Sequence, residues 1–335
     1  MACVHVVVDG ATALPRDAAL NFGITIVPQT VASGHARWEV GADFSAEQFW
    51  PQVGVPHQLL STPPAPVAAY RAAFETVLDW GVEIISLHPP AHLAASAGAA
   101  RAALAQLPAN VPISVIETPW IATALGLLAI QTAHDGSEGA PRTVLEANIA
   151  AASANMHLVF VSTRSPAELL AAADTDPSDV ANTTDANDVA DATEDDEVAA
   201  EDEVADDLDC SAVDRTTAVD GGRQALGSEG DSLWLYEMVA GNIEARVPCP
   251  NVGAALRAVV NAVQVALTAP VALADDGRGV LHMAIFSANA DAEAAAVATF
   301  LETRYGPSEM WLAPCDPVLG ALLGGRGFGA AFHLT

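Results

Sequence analysis

Residues 4–31 read VHVVVDGATALPRDAALNFGITIVPQTV, and the order of signals in them decides the fold class. CVHVVVD (3–9) is short and β-branched, as a buried strand is. A turn around Gly10 leads to a short helix near 15–21, and ITIVPQTVA (24–32) reads as a second strand. Working outward, the alternation continues. FSAEQFW (44–50) reads as a helix capped by Ser45. Val67, Tyr70, Phe74, Val77 and Leu78 recur at helical spacing over 65–79. VEIISLH (82–88) is a strand, 93–106 an Ala-rich helix, and VPISVIE (111–117) a strand. Two helices follow over about 119–134 and 142–154.

HLVFVST (157–163) begins a second half as a strand, and SPAELLAAA (165–173) is a capped helix. Residues 174–209 then carry sixteen Asp or Glu and no basic residue. Large apolar side chains are nearly absent there, so burial cannot offset ordering entropy and the segment reads as disordered. Order resumes near 231 with SLWLYEMVAGNIEARVP, which alternates like a hairpin around Ala240-Gly241-Asn242. A helix (251–267), a strand (280–287), a helix (290–304), a strand (309–314), a helix from about 317 and the strand FGAAFHL complete the chain. The expected fold is α/β in two lobes, each a small, mostly parallel sheet with flanking helices. The lobes are expected at 1–155 and 156–335, the second interrupted by the acidic insert at about 174–230.

The charge excludes several function classes. The net charge is −29, and all thirteen basic residues are Arg. Phosphate backbones and anionic lipid surfaces need clustered cations, so nucleic acid and membrane docking are not expected. No apolar run approaches the length of a membrane span. The first residues read as a strand and not as a signal peptide. Cys3, Cys210, Cys249 and Cys315 are widely spaced and form no C-x-x-C, as free thiols of a reducing compartment would be. The expected location is the cytoplasm.

The chemistry concentrates at LLSTPPAPVAAY (59–70). Pro63, Pro64 and Pro66 disfavour helix at the residues before them, so the Thr62 hydroxyl ends an extended segment ahead of a helix N-terminus. Free N–H groups and a positive dipole end there suit a carboxylate or phosphate. The alternative is that Ser61 or Thr62 simply caps the helix. Asp9, at a strand end, either lines a cleft or closes an Asx-turn, and the turn is the preferred reading.

The order of these stretches resembles the DegV family. Asp9, Ala11 and Thr12 to Pro15 follow the family's D-S-T-A-D-L-P, with Gly10 in place of Ser. Thr62-Pro63-Pro64-Ala65-Pro66, with Tyr70 and Phe74, is similar to its T-S-Q-P-S stretch and the following helix. VEIISLHPPAHLAASAGAARAA, TPWIATALGLLAIQTA and DPVLGALLGGRGFGAAF resemble three further family stretches in the same order. The resemblance implies a two-lobed protein that binds one long-chain fatty acid between the lobes and, in some members, presents it to a fatty acid kinase. It implies no catalysis and no cofactor. An apolar tunnel would supply affinity and polar head-group contacts orientation.

The chain departs from the family at the head-group positions. Pro90 and Ala91 stand where the family has paired serines, Ser96 takes a Thr position, and Leu322 replaces a late His. Thr62, with Ser61 beside it, and Ser96 are the expected hydroxyl ligands. Arg223, in Gly221-Gly222-Arg223, is similar to the family's G-G-R. Arg326 is an unexpected cation and His92 an unexpected imidazole; either could replace the lost partners, or be a solvated surface residue. One rival is a degenerate member that binds no lipid and acts as an interaction or regulatory protein. Another is a hydrolase using Ser96, although Ala94-Ala95-Ser96-Ala97-Gly98 lacks the first Gly of a nucleophile elbow. His88 and His92 have i, i+4 spacing, but Pro89 and Pro90 between them preclude a regular metal-binding helix.

Overall fold

A computed structural model describes residues 4–10, 12–33, 36–40, 63–169, 233–268, 280–315, 320, 322–324 and 326–334. The expected helix over 44–50, the acidic insert, Ser61, Thr62 and Arg223 lie outside the described residues.

The first sheet has four strands, all parallel: β1 (Val4–Asp9), β2 (Thr25–Val27), β5 (Glu83–His88) and β6 (Ile113–Glu117), in the order β2-β1-β5-β6. Helix α1 (Arg16–Asn21) joins β1 to β2. The single strand expected over 24–32 divides at Pro28, which has no N–H for a ladder. Its second part, β3 (Gln29–Ser33), pairs instead with β4 (Ala36–Val40) in a separate two-stranded ribbon. Helix α2 (Val67–Leu78) buries Tyr70, Phe74 and Val77, the stripe its spacing predicts. Helix α3 (Ser96–Leu104) starts later than expected because residues 91–93, after Pro89 and Pro90, form a turn.

Helix α4 (Ala122–Ser137) explains how the halves are joined. Twelve of its sixteen residues are buried, as in a helix apolar on every side. A Cβ on Gly126 would lie 3.0 Å from the Trp311 ring, and one on Gly136 would lie 3.1 Å from the Val4 carbonyl. The main core therefore runs without interruption from Val6 and Val8 through Leu125 and Leu128 to Phe160, Ala284 and Phe286. Helix α5 (Arg142–Ala154) then leads out of the first sheet.

The second sheet has six strands: β7 (Met156–Ser162), β8 (Leu233–Val239), β9 (Asn242–Cys249), β10 (Leu281–Ala288), β11 (Glu309–Pro314) and β12 (Gly327–Leu334). Their order is β11-β10-β12-β7-β8-β9. Helices α6 (Val252–Thr268) and α7 (Asp291–Tyr305) pack on it. The expectation of a mostly parallel second sheet is corrected: only β10 and β11 run parallel, and the other neighbours are antiparallel. Two features cause this. β8 and β9 form a hairpin turned at Ala240 and Gly241, both at positive φ (48° and 88°), the conformation of a tight hairpin turn. β12 inserts between β10 and β7 and runs against both. At Gly329 a Cβ would fall 2.5 Å from Phe160 Cβ and 2.6 Å from Phe286, so the central strands close up only around glycine.

Candidate functional site at the carboxyl edge of the parallel sheet

From β1 the chain moves to β2 on one side, and it later returns to β5 on the other. That reversal opens a crevice beyond the carboxyl ends of β1 and β5, the usual place for a ligand in such a sheet. Asp9 and His88 are the last residues of these two strands, brought side by side by the Val8–Leu87 register. Both are fully buried, and Asp9 Oδ2 is 3.8 Å from His88 Nδ1. Ser96 Oγ, in the first turn of α3, lies 3.2 Å from the same nitrogen. Ser86 Oγ, two residues back on β5, lies 2.8 Å from His88 Nε2. The Thr118 N–H donates to the His88 carbonyl at 2.8 Å and fixes the end of β5.

Two further polar side chains close this group. Tyr70, from the first turn of α2, stands with its ring 5.5 Å from the imidazole. Burial, then the negative charge of Asp9, pushes its pKa well above the ordinary phenol value, with Ser96 and Gln29 pulling it partly back. Gln29 is buried at the start of β3, its Cγ 3.2 Å from where a Cβ on Gly10 would lie.

The same edge is rich in unused hydrogen-bonding capacity. The residues preceding α2, α3 and α4 are Pro66, Ala95 and Ile121, and none supplies a side-chain cap. Three sets of helix N–H groups and three positive dipole ends are thus left for other partners. The buried Thr12 and Thr123 hydroxyls make no hydrogen bond. Buried polar atoms are rarely left so, and a set of them marks a place where a polar ligand or water belongs. The second sheet covers this edge: Gly241, at the tip of the β8–β9 turn, packs on Pro119 and Pro90.

Of the residues expected at the site, Ser96 is in this buried group. Arg326 immediately precedes β12 and is 5% exposed, so it is not a solvated loop residue. His92 is exposed in the turn before α3. Asp9, read by preference as a turn residue, has its carboxylate against His88. His88 and Tyr70 carry more of the site than their sequence spacing suggested. The signal was present: Ser86 and His88 put two polar side chains on one face of the strand EIISLH, whose other inner residues, Ile84, Ile85 and Leu87, are apolar.

Ser96, His88 and Asp9 do not form a proton relay. Ser96 and Asp9 approach the same ring nitrogen, whereas a relay needs the nucleophile and the carboxylate on opposite nitrogens. Among the described residues no group of His, Cys, Asp or Glu is arranged to hold a metal ion, and no helix is long and apolar enough to cross a membrane.

Comparison with known proteins gives a consistent picture. Residues 3–164 match the family model described as an uncharacterised protein of the DegV family. A DegV domain-containing protein of Streptomyces coelicolor is 32% identical over 149 residues, which is 44% of this chain and 51% of that protein. The match thus spans about half of the relative's length. A Thermotoga maritima protein described as revealing fatty acid binding function superposes with a TM-score of 0.71 at 12% identity, covering 100% of both chains. DegV of Bacillus subtilis, described as a fatty acid binding protein, gives a TM-score of 0.71 at 14% identity over 100% of both chains. A DegV family protein of Thermus thermophilus, described for its fatty acid binding, gives 0.70 at 15% identity over 99% of this chain and 100% of that one. At these identities the likeness is one of fold.

Proposed function

Because its N-terminal half belongs to the DegV family and the whole chain has the two-lobed DegV fold, we propose that this protein binds a long-chain fatty acid or similar lipid. The lipid lies between lobes made by residues 1–155 and 156–335. The observation that carries the reading is the buried polar group at the carboxyl edge of the parallel sheet. Its unbonded hydroxyls and uncapped helix N-termini suit one carboxyl group. The binding of fatty acids by proteins of the same fold supports it.

In this reading Ser96 and Thr62, with Ser61 beside it, hold the carboxyl group. Thr62 immediately precedes the prolines that lead into α2. Arg326 is the preferred cation, because a buried guanidinium acts in a low-dielectric setting, with Arg223 as the other candidate; the exposed His92 is the least favoured of the expected contacts. The apolar tail supplies most of the affinity, about 0.8 kcal/mol per buried methylene. The protein is a carrier and not a catalyst, and it presents the acid to a fatty acid kinase. Native mass spectrometry of gently purified protein tests the reading. An added mass equal to one fatty acid supports it; repeated absence of any such mass favours a protein that acts through partner contacts alone.

A further inference from the structure

Resting on the lipid reading, we infer that the site selects a fatty acid whose chain carries an oxygen close to the carboxyl end, as in a β-hydroxy acid. Three buried polar atoms from three parts of the chain carry the inference: Nε1 of Trp311 on β11, the Thr123 hydroxyl on α4 and the Thr12 hydroxyl between β1 and α1. None has a hydrogen-bond partner among the described residues. A buried indole N–H usually finds a partner, and a buried hydroxyl left alone costs free energy. The three border one place. A Cβ on Gly126 would lie 3.0 Å from the tip of the Trp311 ring and 3.5 Å from the carbonyl of Ala13, the residue after Thr12. Thr123 is one helical turn before Gly126, on the same side of α4. Ala122, just before it, is held at φ 56°, which alanine adopts only under constraint.

This place adjoins the head group. Thr12 follows Asp9 by three residues, and α4 begins shortly after Thr118, whose N–H holds the His88 carbonyl. A carboxylate accepts about four hydrogen bonds. The proposed contacts of Ser96, Thr62, Ser61 and Arg326, with the helix N–H groups, already offer that many. The Trp311, Thr12 and Thr123 donors are therefore left over. An unsubstituted alkyl chain cannot pair with them and shuts them further from water. A hydroxyl on the chain can accept from Nε1 and exchange a hydrogen bond with a threonine. A site with such donors rejects the ligand that lacks the oxygen, whereas a purely apolar pocket would favour the unsubstituted chain. Trp311 is only half-buried, so its ring can turn aside as the chain enters.

Displacement of a fluorescent fatty acid from the full chain by palmitate, β-hydroxypalmitate and ω-hydroxypalmitate tests this. β-Hydroxypalmitate should bind the wild type at least about tenfold more tightly than palmitate, and ω-hydroxypalmitate should gain nothing. Thr123→Val keeps the side-chain shape and removes the hydroxyl, and Trp311→Phe removes the N–H. Each should narrow the gap between the two acids to less than about threefold. A merely structural role would shift both acids alike and keep the gap. If Trp311→Phe does not fold, Thr123→Val decides. Equal or weaker binding of β-hydroxypalmitate by wild type, an equal gain by ω-hydroxypalmitate, or a gap that survives Thr123→Val overturns the inference and leaves the lipid reading intact. Failure of all three acids to bind wild type overturns the lipid reading itself.

Discussion

Asp9 and His88 end adjacent parallel strands, and their buried side chains meet with 3.8 Å between Oδ2 and Nδ1. The pair sits at the point where the strand order reverses, so the fold alone would direct a ligand there. Four elements contribute to the same small volume: β1, β5, α2 and α3. What each side chain does there depends on the others.

His88→Ala should be strongly destabilising in the ligand-free protein. It strips Ser86 and Ser96 of their shared partner and leaves Asp9 facing a void. A loss of about 3 kcal/mol or more is expected from buried polar groups left unpaired. Urea unfolding would show it as a lowered midpoint; a loss under about 1 kcal/mol would mean that water already serves these groups.

Head-group substitutions should separate by burial. Arg326→Ala should weaken fatty acid binding at least about tenfold, and Ser96→Ala and Tyr70→Phe by about three- to tenfold each. His92→Ala, at an exposed position, should leave affinity unchanged. A fluorescent fatty acid displacement assay reads all four, and equal affinity of wild type and Arg326→Ala would remove arginine from the site.

Two glycines should respond in opposite directions. Gly329→Ala drives a methyl group to 2.5 Å from Phe160 Cβ and 2.6 Å from the Val159 carbonyl, with no flexible neighbour to yield. It should cost about 3 kcal/mol or prevent folding. Gly98, within α3, has nothing within 4 Å of its Cβ position, so Gly98→Ala should stabilise by about 0.5–1 kcal/mol. Thermal denaturation of the two variants side by side checks both signs.

His333 should make stability fall on mild acidification. Burial, then the neighbouring His282, lowers its pKa from 6.5 to about 4. The folded state thus favours the neutral ring. Its contribution is whole above the unfolded value near 6.5 and is lost as pH falls toward about 4. The loss is on the order of 3 kcal/mol across that window. His333→Gln, compared with wild type by urea unfolding at both ends of the window, should show a shallower decline. Equal declines would mean that the ring is protonated in the fold.

Much of the architecture was legible in the sequence because its signals are local. The Val4–Asp9 run, the Tyr70–Phe74–Val77 stripe and the Ala240-Gly241 turn each announce an element within a few residues. The direction of the second sheet was not, because it depends on β12 entering between β10 and β7, a pairing between distant parts of the chain. The site was legible in part for the same reason. Ser96 could be named from its resemblance to a family position, but its meeting with His88 and Asp9 is a product of strand order. Arg326 looks like a loop residue in Gly324-Gly325-Arg326-Gly327, and only the fold buries it.

The most direct test of the central claim is to bind carboxyl-labelled oleate and follow the label by NMR. The account predicts one carboxyl resonance in slow exchange with free ligand, displaced when Ser96→Ala or Tyr70→Phe is introduced. A bound carboxyl signal indifferent to both substitutions, or one that titrates like free oleate in water, would contradict a head group seated at the Asp9–His88 edge.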